Sequence, residues 1–173
     1  MPTLWCQCLD QQGRVLTEFS RLASEDDLKQ FLFLKEQALE EVKTKRGGEI
    51  LLDVSPLPEK EATEFLTYID SDRHDLIVGL FEEAIVGYGK LEYSTTNSNK
   101  KLASVKEVFV MKEARSVGVG ESMMNFMIQR SKSLGCTGID GFALPGDRET
   151  KNFFESQGMV ARLIKVYSPL ESD

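Results

Sequence analysis

The feature that most limits the fold of this chain is a glycine-bearing turn, Arg115-Ser116-Val117-Gly118-Val119-Gly120. It joins an apolar strand-like run, Val105 to Val110, to an apolar-periodic helix. The first N–H groups of a helix have no intrahelical partner, and the helix dipole adds partial positive charge there. Glycines without a Cβ let a bulky anion approach the main chain. A strand, such a turn and a helix in this order suggest a diphosphate-bearing cofactor.

Three phosphate readings compete. A Walker loop requires Gly-Lys-Ser/Thr at its end, and Gly120 is followed by Glu121-Ser122. A dinucleotide fingerprint requires a third glycine and an acidic residue about 20 residues on. Glu121-Ser122-Met123 supplies no third glycine, and Asp140 alone is thin support. The third reading is the diphosphate arm of coenzyme A. Here the chain resembles the GNAT (Gcn5-related N-acetyltransferase) family, whose signature is Arg/Gln-x-x-Gly-x-Gly/Ala after the fourth strand. The lead-in Val108-Phe109-Val110-Met111-Lys112-Glu113-Ala114-Arg115 is similar to that family's, with Lys112 where proline is usual. A second block, Gly146 to Met159, resembles the family's fourth helix and its Phe-Tyr-Glu-Lys-x-Gly-Phe ending. The resemblance extends from about Asp75 to Tyr167; before that, only the order of elements is compatible.

Composition agrees with a globular enzyme. The 173 residues suit one domain, expected to span 1–173, with 41% hydrophobic and 28% charged residues. No apolar run approaches the roughly 18 residues of a spanning helix. No basic stretch leads into an apolar one at the N-terminus, so no secretory leader is expected. Cys6 and Cys8 alternate onto one strand face and read as small apolar residues, which makes a reducing, cytoplasmic setting the expectation. The net charge of −7 argues against nucleic acid and anionic membranes as partners and mildly favours a cationic acceptor. One histidine, His74, sits in the polar turn Ser71 to Asp75. A lone histidine makes a Ser-His-Asp triad improbable and, with scattered cysteines, leaves no zinc site.

The expected elements are a hairpin over Thr3–Leu9 and Arg14–Phe19, within an extra N-terminal unit at 1–20, and a helix after the Ser24/Asp27 capping box. Glu49 to Val54 is ambiguous between strand and loop. A helix begins at Pro58, and strands cover Leu76–Phe81, Ala84–Tyr93 and the run ending at Val110. The glycine turn opens a helix to about Leu134, with Met123, Met127 and Leu134 inward. Thr137–Ala143 is a strand, Glu149–Gln157 a helix, and Met159–Tyr167 a closing strand or strand pair. This is a mixed α/β (α+β) order. By resemblance, it implies a mostly antiparallel sheet, splayed between the fourth and fifth core strands and flanked by helices.

The resemblance also implies a chemistry: acetyl-CoA as co-substrate and a primary amine, on a small molecule or peptide, as acceptor. The main chain of Val108, Phe109 and Val110 would hold pantetheine in the splay, and the amides of Arg115, Ser116, Val117, Gly118, Val119 and Gly120 the diphosphate. A strand amide near Val110 would serve the oxyanion, without a metal or covalent intermediate. Glu107 resembles the acidic residue many members place on this strand, and is the candidate general base. Phe154 stands where members commonly carry a tyrosine as general acid; solvent, Tyr88 or Tyr93 are the alternatives. Asn152 would reach the pantetheine, and Phe154 would pack against the thioester. Asp147 reads equally as cofactor-facing or as a helix cap. The missing tyrosine keeps a second class open, a non-catalytic acyl-CoA-binding sensor or interaction module. Oligomeric state stays open, a homodimer included.

Overall fold

In the computed structural model of the chain, residues 8–9, 15–16, 18–54, 61–168 and 170 are described. Two long strands set the sheet: β4 (His74–Phe81) and β5 (Ala84–Thr95), antiparallel. The connection between them is Glu82-Glu83, both at positive φ (46° and 72°), the twist a two-residue hairpin requires. Before them come a short antiparallel ladder of β1 (Cys8–Leu9) and β2 (Val15–Leu16), then β3 (Glu18–Leu22). After them come β6 (Lys101–Val110) and β7 (Gly138–Gly141).

The main sheet runs β3-β4-β5-β6-β7. Its first four strands are antiparallel, and β7 is parallel to β6. The β6–β7 ladder covers only Leu102–Val105 against Gly138–Gly141. Beyond it the two strands separate, so the expected splay between the fourth and fifth core strands is present. No helix among the described residues is long and apolar enough to cross a membrane.

Helices cover both faces. On one lies α4 (Val119–Ser133), whose Met123 and Met127 are fully buried against Ile77, Leu91 and Val105. The other carries α1 (Leu28–Thr44) and α3 (Glu61–Ile69), with Phe31, Leu34 and Phe65 packed on Leu76 and Tyr88. The start of α1 is fastened to β3. Asp27 accepts from Ser24 N–H at 2.8 Å and from both Arg21 Nη atoms at 2.6 and 2.9 Å. The charge and hydrogen bonds of Arg21 outweigh burial and hold the Asp27 carboxyl below its ordinary range.

Three expectations are corrected. Glu49 to Val54, left between strand and loop, belongs to helix α2 (Gly48–Val54), because it has no strand partner and its Leu51 N–H bonds to Gly47 O. The strand expected over Thr137–Ala143 is shorter, since pairing with β6 ends at Gly141. The closing strand expected at Met159–Tyr167 is not formed: among the described residues the segment pairs with no strand, and it is largely exposed. The start of the third helix at Pro58 and most of the N-terminal hairpin lie outside the described residues.

Gly48 turns α1 into α2, which lines the cleft described below. A Cβ there would stand 1.8 Å from the Val42 carbonyl oxygen, a backbone atom that cannot move aside. Gly48→Ala is expected to lower stability by about 1–3 kcal/mol, read as a fall in the urea midpoint.

Candidate active site

One irregularity in β6 builds the site. Along β5, Leu91 and Tyr93 pack in the α4-side core, while Tyr88 packs under α1 and Lys90 bonds to Glu64 of α3. On β6, Ala103 and Val105 face α4 as well. Unbroken alternation would send Glu107 and Phe109 to that same side. The register instead pairs Lys90 with Glu107 and Leu91 with Val105, leaving Lys106 as an extra residue. This β-bulge turns Glu107 and Phe109 toward α1 and α3, and it lies where β7 stops pairing.

Glu107 thereby enters a compact charge cluster. Its carboxylate accepts from Lys35 Nζ at 2.7 and 2.8 Å, from Lys90 Nζ at 2.8 Å and from Tyr88 Oη at 2.8 Å. Glu64 pairs with both lysines as well, at 3.5 Å from Lys35. Lys35 and Lys90 are buried, whereas 31% of the Glu107 side chain remains exposed. Burial pushes the Glu107 carboxyl up, but the charges of Lys90 and Lys35 outweigh it and hold it below the usual range. Tyr88 is raised well above its ordinary value by burial and by the Glu107 charge, and Tyr68 is pushed up to about 12 by burial. Glu107 is thus a carboxylate, and both tyrosines are protonated, at neutral pH.

The exposed side of Glu107 opens into a cleft of about 960 Å³ that continues over the glycine turn. Met111 N–H donates to Val86 O at 2.8 Å, so alternation points the amides of Val108 and Val110 to the open side. The Val110 carbonyl faces the same way and accepts from Arg115 Nε at 3.0 Å. Val108, Phe109, Val110, Arg115, Ser116, Gly118, Gly120 and Phe154 all line the cleft, together with Glu107.

The turn is shaped by backbone conformation. Ser116 (φ 68°) and Gly118 (φ 92°) are left-handed, and Gly118 is the N-cap of α4. A Cβ on Gly118 would stand 2.5 Å from a Glu18 carboxylate oxygen, and one on Gly120 would stand 3.3 Å from the Phe153 ring. Val119 is fully buried beside Gly79, which leaves its amide as the group it can offer; Val117 packs against the same core. Arg115 ties the turn to α1 through Glu41 at 2.5 Å and approaches Glu149 at 3.4 Å. The amides, the two glycines and the open strand edge fit a diphosphate followed by a pantetheine arm.

Three other expectations divide. Asp147 is the N-cap of α5 (Arg148–Ser156), accepting from Thr150 N–H at 3.2 Å, and it also meets Lys45 at 2.8 Å. Asn152 stands on the exposed face of α5, outside the lining of the cleft. Tyr93 lies in the α4-side core, where its hydroxyl donates to Asp75 at 2.6 Å, whereas Tyr88 lines the cleft. Among the described residues, no group of His, Cys, Asp and Glu could hold a metal. The sequence reading did not single out Lys35, Lys90 and Glu64. A lysine four residues after Phe31, on the apolar face of α1, was the available signal.

Phe154 wedges the splay. Its Cζ lies 3.0 Å from where a Cβ on Gly141 would stand, beside the last residue of β7 to pair. Phe154→Tyr, which adds a hydroxyl to this buried ring, is expected to lower stability by about 1–3 kcal/mol without raising turnover, checked by thermal unfolding and steady-state rates.

The profile of the "Acetyltransferase (GNAT) family" matches residues 37–159. The chain belongs to the GNAT acetyltransferase family. Among solved structures it is similar to the aminoglycoside N-acetyltransferase AAC(6')-Iy in complex with CoA, at 12% identity and TM-score 0.71, over 92% of this chain and 98% of that one. It is also similar to the aminoglycoside acetyltransferase meta-AAC0020, from an uncultured soil metagenomic sample and in complex with sisomicin (16% identity, TM-score 0.66, 89% and 97% covered). A transcriptional regulator from Bacillus halodurans C-125 shares the fold at 22% identity and TM-score 0.68, over 88% and 99%. A comparison with curated protein sequences gave no match.

Proposed function

We propose that this protein transfers the acetyl group of acetyl-CoA to a primary amine by direct attack in a ternary complex. The observation that carries this reading is the bulged, open edge of β6. It runs from Glu107 through the outward amides of Val108 and Val110 into the glycine turn. Val108, Phe109 and Val110 would hold the pantetheine, and the amides from Arg115 to Gly120 the diphosphate. Bound there, acetyl-CoA supplies an acetyl thioester.

Glu107 accepts a proton from the acceptor ammonium, directly or through one water, and releases it to solvent. The freed amine attacks the carbonyl carbon, the carbon–sulfur bond breaks, the nitrogen loses its second proton to solvent, and the thiolate is protonated by solvent. Lys35, Lys90 and Tyr88 position the carboxylate. The Val110 amide faces the developing oxyanion. The acceptor approaches past Glu61, Tyr68 and Glu92, which line the same cleft as Glu107. A small cationic amine suits that lining, as it would the acceptors named for the aminoglycoside acetyltransferases.

A second reading, a non-catalytic acyl-CoA-binding module, is favoured by Phe154, whose ring tip faces Gly141. Calorimetric titration with acetyl-CoA, with dephospho-CoA and NAD as controls, followed by CoA release against an amine panel, separates them. Saturable binding with release supports the transferase, and binding without release the module. No binding overturns both.

A further inference from the structure

Two primary amines of the chain itself stand at the Glu107 carboxylate. Lys35 Nζ lies 2.7 and 2.8 Å from its two oxygens, and Lys90 Nζ lies 2.8 Å from one of them. Both lysines are buried from bulk solvent, and both line the cleft into which Glu107 opens. They are held differently. Lys90 is rooted in β5, the middle strand of the sheet, where it pairs with Glu64 and Glu107 and lies over the Tyr68 ring at 4.8 Å. Lys35 hangs from α1, with Glu107 as its close anion and Glu64 further off at 3.5 Å. A flexible four-carbon stem lets its Nζ turn from Glu107 to a neighbouring group while α1 stays packed. Ala38 and Leu39, one turn along the same helix, line the cleft beside it.

We propose, on the transferase reading above, that Lys35 is a self-acetylation site, modified from bound acetyl-CoA when the acceptor amine is absent. In that reading the thioester lies at Glu107, and an amine already at this base needs no encounter with a second substrate. Glu107 accepts one proton from the Lys35 ammonium and releases it to solvent. The freed Nζ attacks the carbonyl carbon, a carbon–nitrogen bond forms and the carbon–sulfur bond breaks. The nitrogen loses its second proton to solvent, and the thiolate takes one from solvent. The products are an Nε-acetyl amide on Lys35 and free CoA. An amide carries no charge, so Glu107 would keep Lys90 as its close cation, and its carboxyl would move back toward the ordinary range. Self-acetylation thereby retunes the base whenever cofactor is present without acceptor.

Peptide mass spectrometry on the full-length protein, incubated with acetyl-CoA and no added amine, tests this. The expected result is an acetyl group on Lys35, gained at a rate per chain that dilution of the protein does not change. The exposed Lys100 and Lys132 react far more slowly, by uncatalysed acetylation. Excess CoA should suppress the reaction at Lys35 and leave the two exposed lysines unaffected. Glu107→Gln should slow acetylation of Lys35 about 10²- to 10⁴-fold, with circular dichroism and acetyl-CoA affinity unchanged. The acetylated protein should also show the acid limb of turnover at higher pH than the unmodified protein. Lys35 left unmodified while calorimetry shows acetyl-CoA bound overturns the proposal and leaves the transferase reading standing. So does acetylation of Lys35 no faster than that of Lys100 and Lys132, or a rate that CoA does not suppress, whether or not Glu107→Gln folds. A protein that binds no acetyl-CoA overturns the reading and the proposal together.

Discussion

Glu107→Gln is expected to lower turnover about 10²- to 10⁴-fold at neutral pH and to leave acetyl-CoA affinity unchanged. The amide keeps the shape and can still accept hydrogen bonds, but it cannot take the ammonium proton. Because Lys90 and Lys35 outweigh the effect of burial and hold the Glu107 carboxyl below the usual range, its base form persists to lower pH than that of an ordinary carboxylate. The acid limb that Glu107 imposes on turnover therefore lies below the ordinary carboxylate value. Lys35→Met removes one of the two cations and should move that limb upward, a shift that a merely structural role for Glu107 would not produce. An unchanged rate across pH in Glu107→Gln would remove this residue from the mechanism.

The same coupling has a stability side. A carboxyl lowered in the folded state contributes stability above its unfolded pKa, and this is lost as pH falls through the folded value. Asp27, Glu41, Glu107 and Asp147 are all lowered, so the unfolding midpoint should hold steady at mild acidity and fall below about pH 4. Glu107→Gln should make that fall shallower.

Gly118→Val should carry the largest loss of cofactor affinity. A β-branched residue is strained at φ 92°, whereas the Glu18 carboxylate beside its Cβ is the end of a flexible side chain that can swing aside, so it is the backbone strain that turns the first amides of α4 away. Each hydrogen bond to a charged group so withdrawn is worth about 1.5–3 kcal/mol, or about 10- to 100-fold in Kd. Calorimetry with acetyl-CoA checks this, with circular dichroism to verify that α4 still forms. Undiminished affinity in a folded Gly118→Val would remove the turn from the diphosphate site.

The glycine turn and its flanks were legible because they depend on local chemistry. Left-handed positions select glycine, and a strand–turn–helix order is written in apolar periodicity. The inward positions Met123 and Met127, fully buried, and Leu134, partly buried against the same core, followed from that periodicity as well. The segment from Glu49 to Val54 was ambiguous because so short a stretch, apolar at Ile50, Leu51, Leu52 and Val54, fits helix and strand equally. Met159 to Tyr167 read as a strand because its residue types favour one, yet a strand exists only where an edge accepts it.

What the sequence determined by itself is therefore the family, the order of the elements around the splay and the location of the glycine turn. The partners of Glu107 were decided by the tertiary structure alone. One extra residue in β6, Lys106, opposes no partner on β5, and it rotates everything after it to the other face of the sheet. A bulge is a property of two strands in register, and it leaves no mark in the periodicity of either. Only when β5, α1 and α3 close on the same side do Lys35, Lys90, Tyr88 and Glu64 surround that carboxylate. Their convergence comes from long-range packing between distant segments, which no local pattern encodes.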